Sequence, residues 1–393
     1  MGHTDSHDEK KAHIDRSASK IEYGLKFSKY LLGNIWYLIK RGKFKEAYKY
    51  FLALAFTEEG GRLLDPLFRR FPSLASKPLR IEVETTTVCP LRCLKCEHTY
   101  WKRTQRNMSL TEFKSIVDQF PRLSAVSLSG IGHSLNNPEF FEIAKYAKSK
   151  GLHVQFFDPF LLINEDVAKK LIDLRINRIW VSMDAATKES YEALQVGSNF
   201  DVVTRNIRNL MKLKKEMKSP FPEIDFHFIV TKTNAPEMPQ YLDLVNSLVG
   251  TQKIVLVQYT TLIPFKENVF LRPEVSPQLL EETKAKAAGY DNFLVYLFNV
   301  PPKKLPLDCC SLWTVPFITV DGYIYACCAL TEANQRQLVD CISFGNIFEE
   351  SFESIWNSEK YTNLRNCIVK GITPEFCNRI RPCPIFETAP YVR

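Results

Sequence analysis

The sequence predicts an α/β fold built on a parallel sheet with right-handed crossover connections. The first observation is that strand-like and helix-like runs alternate through residues 79–300 in six β/α repeats. The second is the composition: 393 residues, 45% hydrophobic and 24% charged, are typical of a soluble globular protein with at least one large core. Functional side chains are therefore expected at the carboxyl-terminal ends of the strands.

Six strand candidates and five helix candidates make up this repeat. The strands are predicted at Arg80–Thr86, Ala125–Ser129, His153–Phe157, Arg178–Met183, Ile224–Thr231 and Lys253–Tyr259. The helices are predicted at Leu110–Phe120, Pro138–Lys150, Glu165–Leu174, Asp201–Lys218 and Pro236–Val249. A hairpin with an Asp-Gly turn is predicted further along the chain, at residues 316–325.

The regions on either side of the repeat differ from it in composition, which divides the chain into four parts. Residues 1–20 are a polar, charged lead-in that we expect to be disordered, and residues 21–78 are a basic, aromatic helical extension. Residues 79–304 hold the β/α repeat, and residues 305–393 form a small cysteine-rich domain with short strands.

The amino-terminal extension is predicted to be helical at 21–39 and 43–56, with Arg41-Gly42 as the break. Residues 1–78 hold 15 Lys/Arg against 9 Asp/Glu, or +6 of the total net charge of +8. Aromatic side chains alternate with lysines there, which suits either a membrane interface or packing on the main domain, and we favour packing. The remainder is near neutral, so no nucleic-acid groove is indicated.

The cysteine distribution indicates metal binding in a reducing compartment, which we take to be the cytoplasm. No apolar run approaches the ~20 residues of a membrane span, and the polar stretch 1–20 does not read as a secretory signal. Three of the eleven cysteines lie at 89–96 and eight at 309–383, with none at 97–308. Such clustering favours metal-binding thiolates over a disulfide framework.

Three cysteines directly after the first predicted strand carry most of the functional information. Cys89, Cys93 and Cys96 have the spacing C-x3-C-x2-C. Three thiolates can hold three irons of a 4Fe–4S cluster and leave the fourth iron open for a cofactor. The alternative is a disulfide or a structural zinc site, with His98 as a fourth zinc ligand.

The run CPLRCLKC at residues 89–96 resembles the signature of the radical S-adenosylmethionine (SAM) enzymes. The resemblance implies a partial (β/α)6 TIM-like barrel over residues 79–304, with the cluster loop after its first strand. It implies that SAM binds the open iron and that a reductant such as flavodoxin or ferredoxin supplies an electron. Reductive cleavage of SAM would then give a 5′-deoxyadenosyl radical that abstracts a hydrogen atom from the substrate.

The same resemblance places SAM contacts after the second predicted strand. Superfamily members have Gly-x-Gly-Glu-Pro there, and this chain has Gly130 and Gly132 but His133 and Ser134 in place of Glu and Pro. The glycines would allow the backbone to approach the SAM amino group closely. A neutral imidazole can accept a hydrogen bond from that ammonium, without the charge-assisted strength of a carboxylate.

Polar residues after two further strands are also candidates. Ser182 and Asp184 match the Ser-x-Asp of related enzymes, whose polar groups face the methionine or ribose of SAM, although an Asp after a strand is also a common helix cap. Asp158 either reaches the substrate or forms a turn. No residue is assigned a catalytic role beyond cofactor binding.

The carboxyl-terminal cysteines resemble those of the SPASM and shorter twitch domains, which hold auxiliary 4Fe–4S clusters. Cys310, Gly322 and Cys327 fit the opening of such a domain, and Cys377 with Cys383 would complete a four-thiolate site. A complete SPASM domain has a C-x2-C-x5-C-x3-C run, of which only one C-x5-C step is present, so we expect one auxiliary cluster. A zinc-binding tail is the alternative.

Four other cysteines leave the ligand set open. Cys309 and Cys328 adjoin the proposed ligands, while Cys341 and Cys367 are either buried small hydrophobes or further ligands. An auxiliary cluster could accept an electron from the substrate radical and make the net reaction an oxidation. Hydrogen donation by Cys328 or Cys341 would instead give an epimerisation.

These observations predict a radical SAM oxidoreductase or maturase that carries out net oxidation or bond formation. The first substrate class is a peptide, because SPASM proteins often modify peptides, but residues 1–78 lack the hairpin of a winged-helix recognition domain. A lipid-linked or sugar-type substrate is the alternative, with peripheral contact at the inner membrane face through residues 21–56. A second functional class, motivated by His133, is a binding or electron-transfer protein with a degenerate SAM site.

Overall fold

The computed structural model describes residues 20–56, 78–262, 267–273, 275–297, 315–326, 343–370 and 372. Its helices are α1 (Lys20–Ile39), α2 (Phe44–Phe56), α3 (Leu110–Val117), α4 (Phe140–Ser149), α5 (Glu165–Asp173), α6 (Lys188–Leu194), α7 (Phe200–Glu216), α8 (Met238–Val249), α9 (Pro277–Ala288), α10 (Phe352–Asn357) and α11 (Glu359–Val369). Its strands are β1 (Arg80–Val83), β2 (Ala125–Ser127), β3 (His153–Asp158), β4 (Arg178–Ser182), β5 (Glu223–Val230), β6 (Val255–Thr261), β7 (Phe293–Tyr296), β8 (Phe317–Ile318) and β9 (Ile324–Tyr325).

The described strands form one sheet in the order β7-β6-β5-β4-β3-β2-β1-β8-β9. Every neighbouring pair is parallel except β8 and β9, which pair as the predicted hairpin around an Asp-Gly turn. The six predicted strands and five predicted helices are confirmed, with ends that shift by a few residues. The sequence analysis did not predict α6, α9, α10, α11 or β7, of which α9 and β7 extend the repeat by a seventh unit.

The helices begin where the sequence supplies side-chain caps. Ser109 and Glu112 form a capping box at the start of α3. Asn164 caps α5 and Asn199 caps α7, each by accepting a hydrogen bond from a first-turn backbone N–H. These caps fix where each crossover helix begins, after the loop that follows the carboxyl-terminal end of a strand.

The two faces of the sheet differ in polarity. Alternate residues of the strands, such as Val126, Phe156 and Phe226, belong to the main hydrophobic core under the helices. The residues between them point to the opposite, inner face of the partial barrel. That face carries the buried polar side chains of Ser127, Gln155 and Asp225, together with half-buried His227. A polar inner face leaves hydrogen-bonding groups in the interior of the barrel.

The helical hairpin α1–α2 covers the amino-terminal ends of the strands. The Tyr50 ring stacks on His153 with a centroid separation of 5.7 Å. Its hydroxyl donates to Glu223 Oε1 at 2.6 Å, and Asn34 Nδ2 donates to the same carboxylate oxygen at 3.1 Å. Arg178 pairs with the other Glu223 oxygen at 2.7 Å. The predicted helices and their predicted packing on the main domain are therefore confirmed.

Several predictions fall on residues that the structure does not describe. These are the lead-in at residues 1–19 and the cysteines Cys309, Cys310, Cys327, Cys328, Cys341, Cys377 and Cys383. The four domain boundaries stay a prediction, although β8 joins β1 directly and so the start of the last domain continues the main sheet. Among the described helices, none has the length and apolar character needed to cross a bilayer.

Candidate active site

The cysteine loop follows β1 and is held in place by backbone contacts on both sides. Arg92 N donates to Val196 O at 2.8 Å, and Leu94 N donates to Leu194 O at 3.0 Å. Within the loop, Cys96 N donates to Cys93 O at 3.0 Å. The loop geometry is thus set by the protein backbone, at the carboxyl-terminal end of the first strand where the sequence analysis expected it.

The three cysteines are free and half-buried. Burial raises the pKa of Cys93 to about 12 and that of Cys96 to about 11, and it also raises the pKa of Cys89. Backbone N–H groups act the other way: His98 N–H stabilises the Cys96 thiolate, and Leu91 N–H stabilises that of Cys89. The thiols are therefore protonated without metal, and metal binding must displace their protons.

The donor set fits an iron–sulfur cluster better than a single ion. Within the described residues, no three His, Cys, Asp or Glu side chains converge as ligands of one metal ion. The ligands of an iron–sulfur cluster do not have to meet at one point, because each thiolate binds a different iron. His98, the fourth ligand of the zinc alternative, donates from Nε2 to Thr87 O at 2.9 Å, and within the described residues it does not form a metal-ligand group with the three cysteines.

Lys95, between the last two cysteines, joins the loop to β4 through a buried ion pair. Its ammonium contacts Asp184 Oδ2, and burial lowers the pKa of Lys95 to about 8 against the opposing effect of the two neighbouring thiolates. Asp184 Oδ2 also accepts from Gln195 Nε2 at 3.0 Å, and its Oδ1 accepts from Ile229 N at 2.6 Å. The contacts that the structure gives the Asp184 carboxylate are with the protein itself.

Ser182, the other residue of that motif, is the last residue of β4 and lies on the inner face. Its carbonyl accepts from Gln195 Nε2 at 3.0 Å, and it stands in register with His227 of β5. The residue is half-buried. A contact between its hydroxyl and SAM stays a prediction.

Gly130 and Gly132 are required by the chain's own packing. A Cβ at Gly130 would lie 2.3 Å from Glu84 Cγ, and one at Gly132 would lie 2.3 Å from Thr86 O. Glu84 is fully buried at the end of β1, and its carboxylate accepts from Ile131 N at 3.0 Å and from Val320 N at 3.2 Å. The glycine segment is therefore fixed against the start of the cysteine loop.

His133 and Asp158 form a buried pair directly beside this segment. His133 Nε2 lies 2.8 Å from Asp158 Oδ2, and both side chains are almost fully excluded from solvent. His133 N donates to Val88 O at 2.9 Å, next to Cys89. Asp158 thus pairs with the residue that replaces the family's Glu, and it also forms a turn by accepting from Phe160 N at 2.7 Å.

His227 is a candidate that the sequence analysis missed. It lies on the inner face, its Nε2 is 3.1 Å from Thr260 Oγ1, and its ring packs edge-on against Phe157. Burial lowers the pKa of His227 to about 3, and the Lys95 charge acts in the same direction, so the ring is neutral. The alternation of polar and apolar residues in β5, which puts Asp225 and His227 on one face, was the available signal.

Two family models match the chain. Residues 83–244 match the radical SAM superfamily, and residues 309–384 match SPASM, an iron–sulfur cluster-binding domain. The first match covers the cysteine loop, the glycine segment and the strands that carry Asp158 and Ser182. The chain belongs to the radical SAM superfamily.

Known proteins that are similar to this chain include two curated relatives and a solved structure. The tungsten-containing aldehyde ferredoxin oxidoreductase cofactor-modifying protein of Pyrococcus furiosus is 25% identical over 72% of this chain and 82% of its own length. The mycofactocin maturase MftC of Mycolicibacterium smegmatis is 24% identical over 76% of this chain and 75% of its own. Streptococcus suis SuiB, solved with its precursor peptide SuiA, superposes with a TM-score of 0.60 at 14% identity, over 79% of this chain and 75% of that one, which shows the shared fold.

The protein is therefore a radical SAM enzyme with a SPASM domain, as its motifs implied. Its cofactors are a 4Fe–4S cluster and SAM, together with iron–sulfur cluster content in the SPASM domain. Cys89, Cys93 and Cys96 fit the SAM-binding cluster. The auxiliary ligand set Cys310, Cys327, Cys377 and Cys383 lies outside the described residues, and it stays a prediction.

Proposed function

We propose that this radical SAM enzyme abstracts a hydrogen atom from a peptide and leaves the peptide oxidised or internally bonded. The observation that carries the proposal is the position of the cysteine loop, which lies at the end of β1 beside the polar inner face of the barrel. Support for a peptide comes from the shared fold with SuiB, which was solved with a precursor peptide, and from relatives named as a maturase and a cofactor-modifying protein.

Each residue of the candidate active site has a separate role in this proposal. Cys89, Cys93 and Cys96 would hold three irons, and the bound cluster and SAM together supply a radical that removes a hydrogen atom. Gly130, Gly132, His133 and Ser182 would surround SAM. Asp184 acts through Lys95, which it holds against the cysteine loop, and His227 faces the interior where a substrate side chain would enter. A ferredoxin or flavodoxin would supply the electron.

Deuterium transfer from a labelled substrate pool tests the substrate class. Cells of the producing organism are grown in deuterated medium, and their extract is separated into peptide, lipid and small polar fractions. Each fraction is then incubated with the reduced enzyme and unlabelled SAM. We expect mass spectrometry to find deuterium in 5′-deoxyadenosine from the peptide fraction, and expect proteinase digestion of that fraction to abolish it. Transfer from the lipid or polar fraction alone would contradict a peptide substrate.

We also propose that α1–α2 brings the enzyme to an anionic membrane surface. Large apolar side chains are exposed on the hairpin; they are Leu32, Trp36, Phe44, Tyr48 and Phe51. Trp36 is 57% and Phe44 is 66% exposed, although the buried sides of both helices pack on the core. Exposed basic residues flank them; these include Lys29, Lys40, Arg41, Lys43 and Lys45. Aromatic side chains amid lysines are typical of interfacial helices.

The charges of this hairpin complement an anionic headgroup layer. In the part whose side chains the structure describes, residues 28–54, the one acidic residue is Glu46, which is buried and paired with Arg175 at 2.8 Å and Lys148 at 3.3 Å. The outer surface of that part is therefore purely basic, and each lysine or arginine near an anionic surface is worth about 1 kcal/mol.

Vesicle co-sedimentation of the full-length enzyme tests this contact. We expect binding to phosphatidylcholine vesicles that contain phosphatidylglycerol and little binding to pure phosphatidylcholine. The double variant Lys40→Glu/Lys43→Glu should lose it, while the matched control Lys145→Glu/Lys212→Glu, on α4 and α7, should keep it. Equal binding by both variants, or none by the wild type, would end the membrane proposal.

A further inference from the structure

The pair His133–Asp158 has a fixed hydrogen-bonding direction. Asp158 Oδ2 lies 2.8 Å from His133 Nε2, and Asp158 Oδ1 accepts from Phe160 N at 2.7 Å. A carboxylate can only accept, so the imidazole must carry its proton on Nε2. Phe160 has a φ of 61°, in the left-handed region that bulky residues rarely adopt, and the contact to its N–H holds Asp158 in place.

The second ring nitrogen of His133 is left without a partner. Nδ1 is buried, and within the described residues it has no hydrogen-bond partner. With the proton on Nε2, a neutral ring presents Nδ1 as a lone-pair acceptor. Leaving a buried acceptor unpaired is costly, which is a reason to expect a donor from a bound molecule.

The location of the pair identifies that molecule. His133 ends the glycine segment, and its N–H bonds to Val88, the residue before Cys89. The pair therefore lies directly beside the cysteine loop, where the amino group of SAM would bind.

We propose that Asp158 is a positioning residue for SAM that compensates for the missing glutamate. It holds His133 in the tautomer whose Nδ1 accepts a hydrogen bond from the SAM ammonium. An ionised Asp with a neutral His carries one negative charge, as the Glu of other superfamily members does. This inference rests on SAM binding at the cysteine loop, and it assigns the ammonium contact to a two-residue unit made of His133 in the loop after β2 and Asp158 at the end of β3.

A double-mutant cycle measured by SAM affinity tests the proposal. The full-length protein is reconstituted anaerobically, and SAM dissociation constants are measured by equilibrium dialysis for Asp158→Asn, His133→Glu and the double variant. In Asp158→Asn the amide oxygen can still accept from Phe160 N–H, but the amide nitrogen now donates to Nε2 of His133. The imidazole proton must then move to Nδ1. We expect at least about ten-fold weaker SAM binding, because a donor then faces the ammonium and the negative charge is gone.

The other two variants separate this mechanism from a structural role. His133→Glu places two carboxylates side by side in a buried site and should also weaken binding, whereas His133→Glu/Asp158→Asn restores one negative charge and should return to within about three-fold of wild type. Unchanged affinity in Asp158→Asn at equal iron content, or no recovery in the double variant, overturns the proposal. A wild-type protein that carries its cluster and does not bind SAM would refute the proposed function instead.

Discussion

At the amino-terminal end of the strands, the buried carboxylate of Glu223 accepts from Tyr50 and Asn34 and pairs with Arg178. At the carboxyl-terminal end, the buried carboxylate of Asp184 pairs with Lys95 of the cysteine loop. At both ends, a buried carboxylate binds partners that come from separate elements of the fold. The Glu223 carboxylate attaches the helical hairpin α1–α2 to the barrel, whereas the Asp184 carboxylate positions the cysteine loop.

This difference indicates that stability and chemistry are separated along the barrel axis. Substitutions at the amino-terminal end should lower stability and leave SAM binding by the folded protein intact. Substitutions at the carboxyl-terminal end should lower cluster or SAM occupancy, whether or not they change stability. The following predictions test that separation.

Cys93→Ala should have the largest effect. Removing one of three thiolates leaves the cluster with too few ligands, so reduced protein should show no SAM-dependent change in its electron paramagnetic resonance spectrum. Iron bound by the SPASM domain should remain. A variant that keeps the SAM-dependent signal would contradict the assignment of the loop, and one that loses all iron would contradict a separate auxiliary site.

Asp184→Ala should lower both stability and cluster content. The substitution leaves the Lys95 ammonium buried without its partner, which typically costs about 3–5 kcal/mol. Thermal unfolding and iron analysis measure the two effects. The double variant Lys95→Met/Asp184→Ala removes the stranded charge and should recover most of the stability, and failure to do so would show that the ion pair is not what Asp184 contributes.

Some of these features could be predicted from the sequence, and others could not. The strands were predictable because buried parallel strands are short apolar runs, and the cysteine loop was predictable because its spacing is local. Asp184 was assigned to SAM because Ser182-x-Asp184 resembles a motif of related enzymes, but its contact with Lys95 depends on how β1 and β4 are brought together. The glycines were assigned to cofactor approach, and the structure shows that Glu84 and Thr86 already require them.

Tyr50→Phe should act at the amino-terminal end alone. The substitution keeps the ring on His153 and removes the hydroxyl that donates to Glu223 at 2.6 Å. Hydrogen bonds to charged groups are worth about 1.5–3 kcal/mol, so the midpoint of thermal unfolding should fall. The SAM dissociation constant should stay within about two-fold of wild type. A large loss of SAM affinity would show that the two ends are coupled.

Substitution of Glu46 should have the smallest effect on stability, and that effect should depend on pH. Burial alone would raise the pKa of Glu46, but the hydrogen bond and charge of Arg175 and the charge of Lys148 outweigh it and hold the pKa below its ordinary value. Because the folded pKa is depressed, the stabilisation is present above the unfolded pKa of about 4.3 and is lost as pH falls through the folded pKa.

The comparison variant for that prediction is Glu46→Gln. At pH 7 it should be less stable than wild type by about 1 kcal/mol, because the new amide oxygen can still accept from Arg175 and Lys148 keeps its hydrogen bonds to Leu152 O and Asn177 Oδ1. The difference in unfolding midpoint should shrink as the pH is lowered below about 4. A difference that is constant with pH would mean that packing, and not the charge of Glu46, attaches α2 to the barrel.

The central claim is that the carboxyl-terminal end of the barrel carries out radical SAM chemistry. The most direct test is to reconstitute the full-length protein anaerobically with iron and sulfide, reduce it with dithionite, add SAM and quantify 5′-deoxyadenosine by chromatography. We predict 5′-deoxyadenosine and methionine in equal amounts from the wild type and neither from Cys93→Ala. A fully loaded, reduced wild-type sample that forms no 5′-deoxyadenosine would contradict the account.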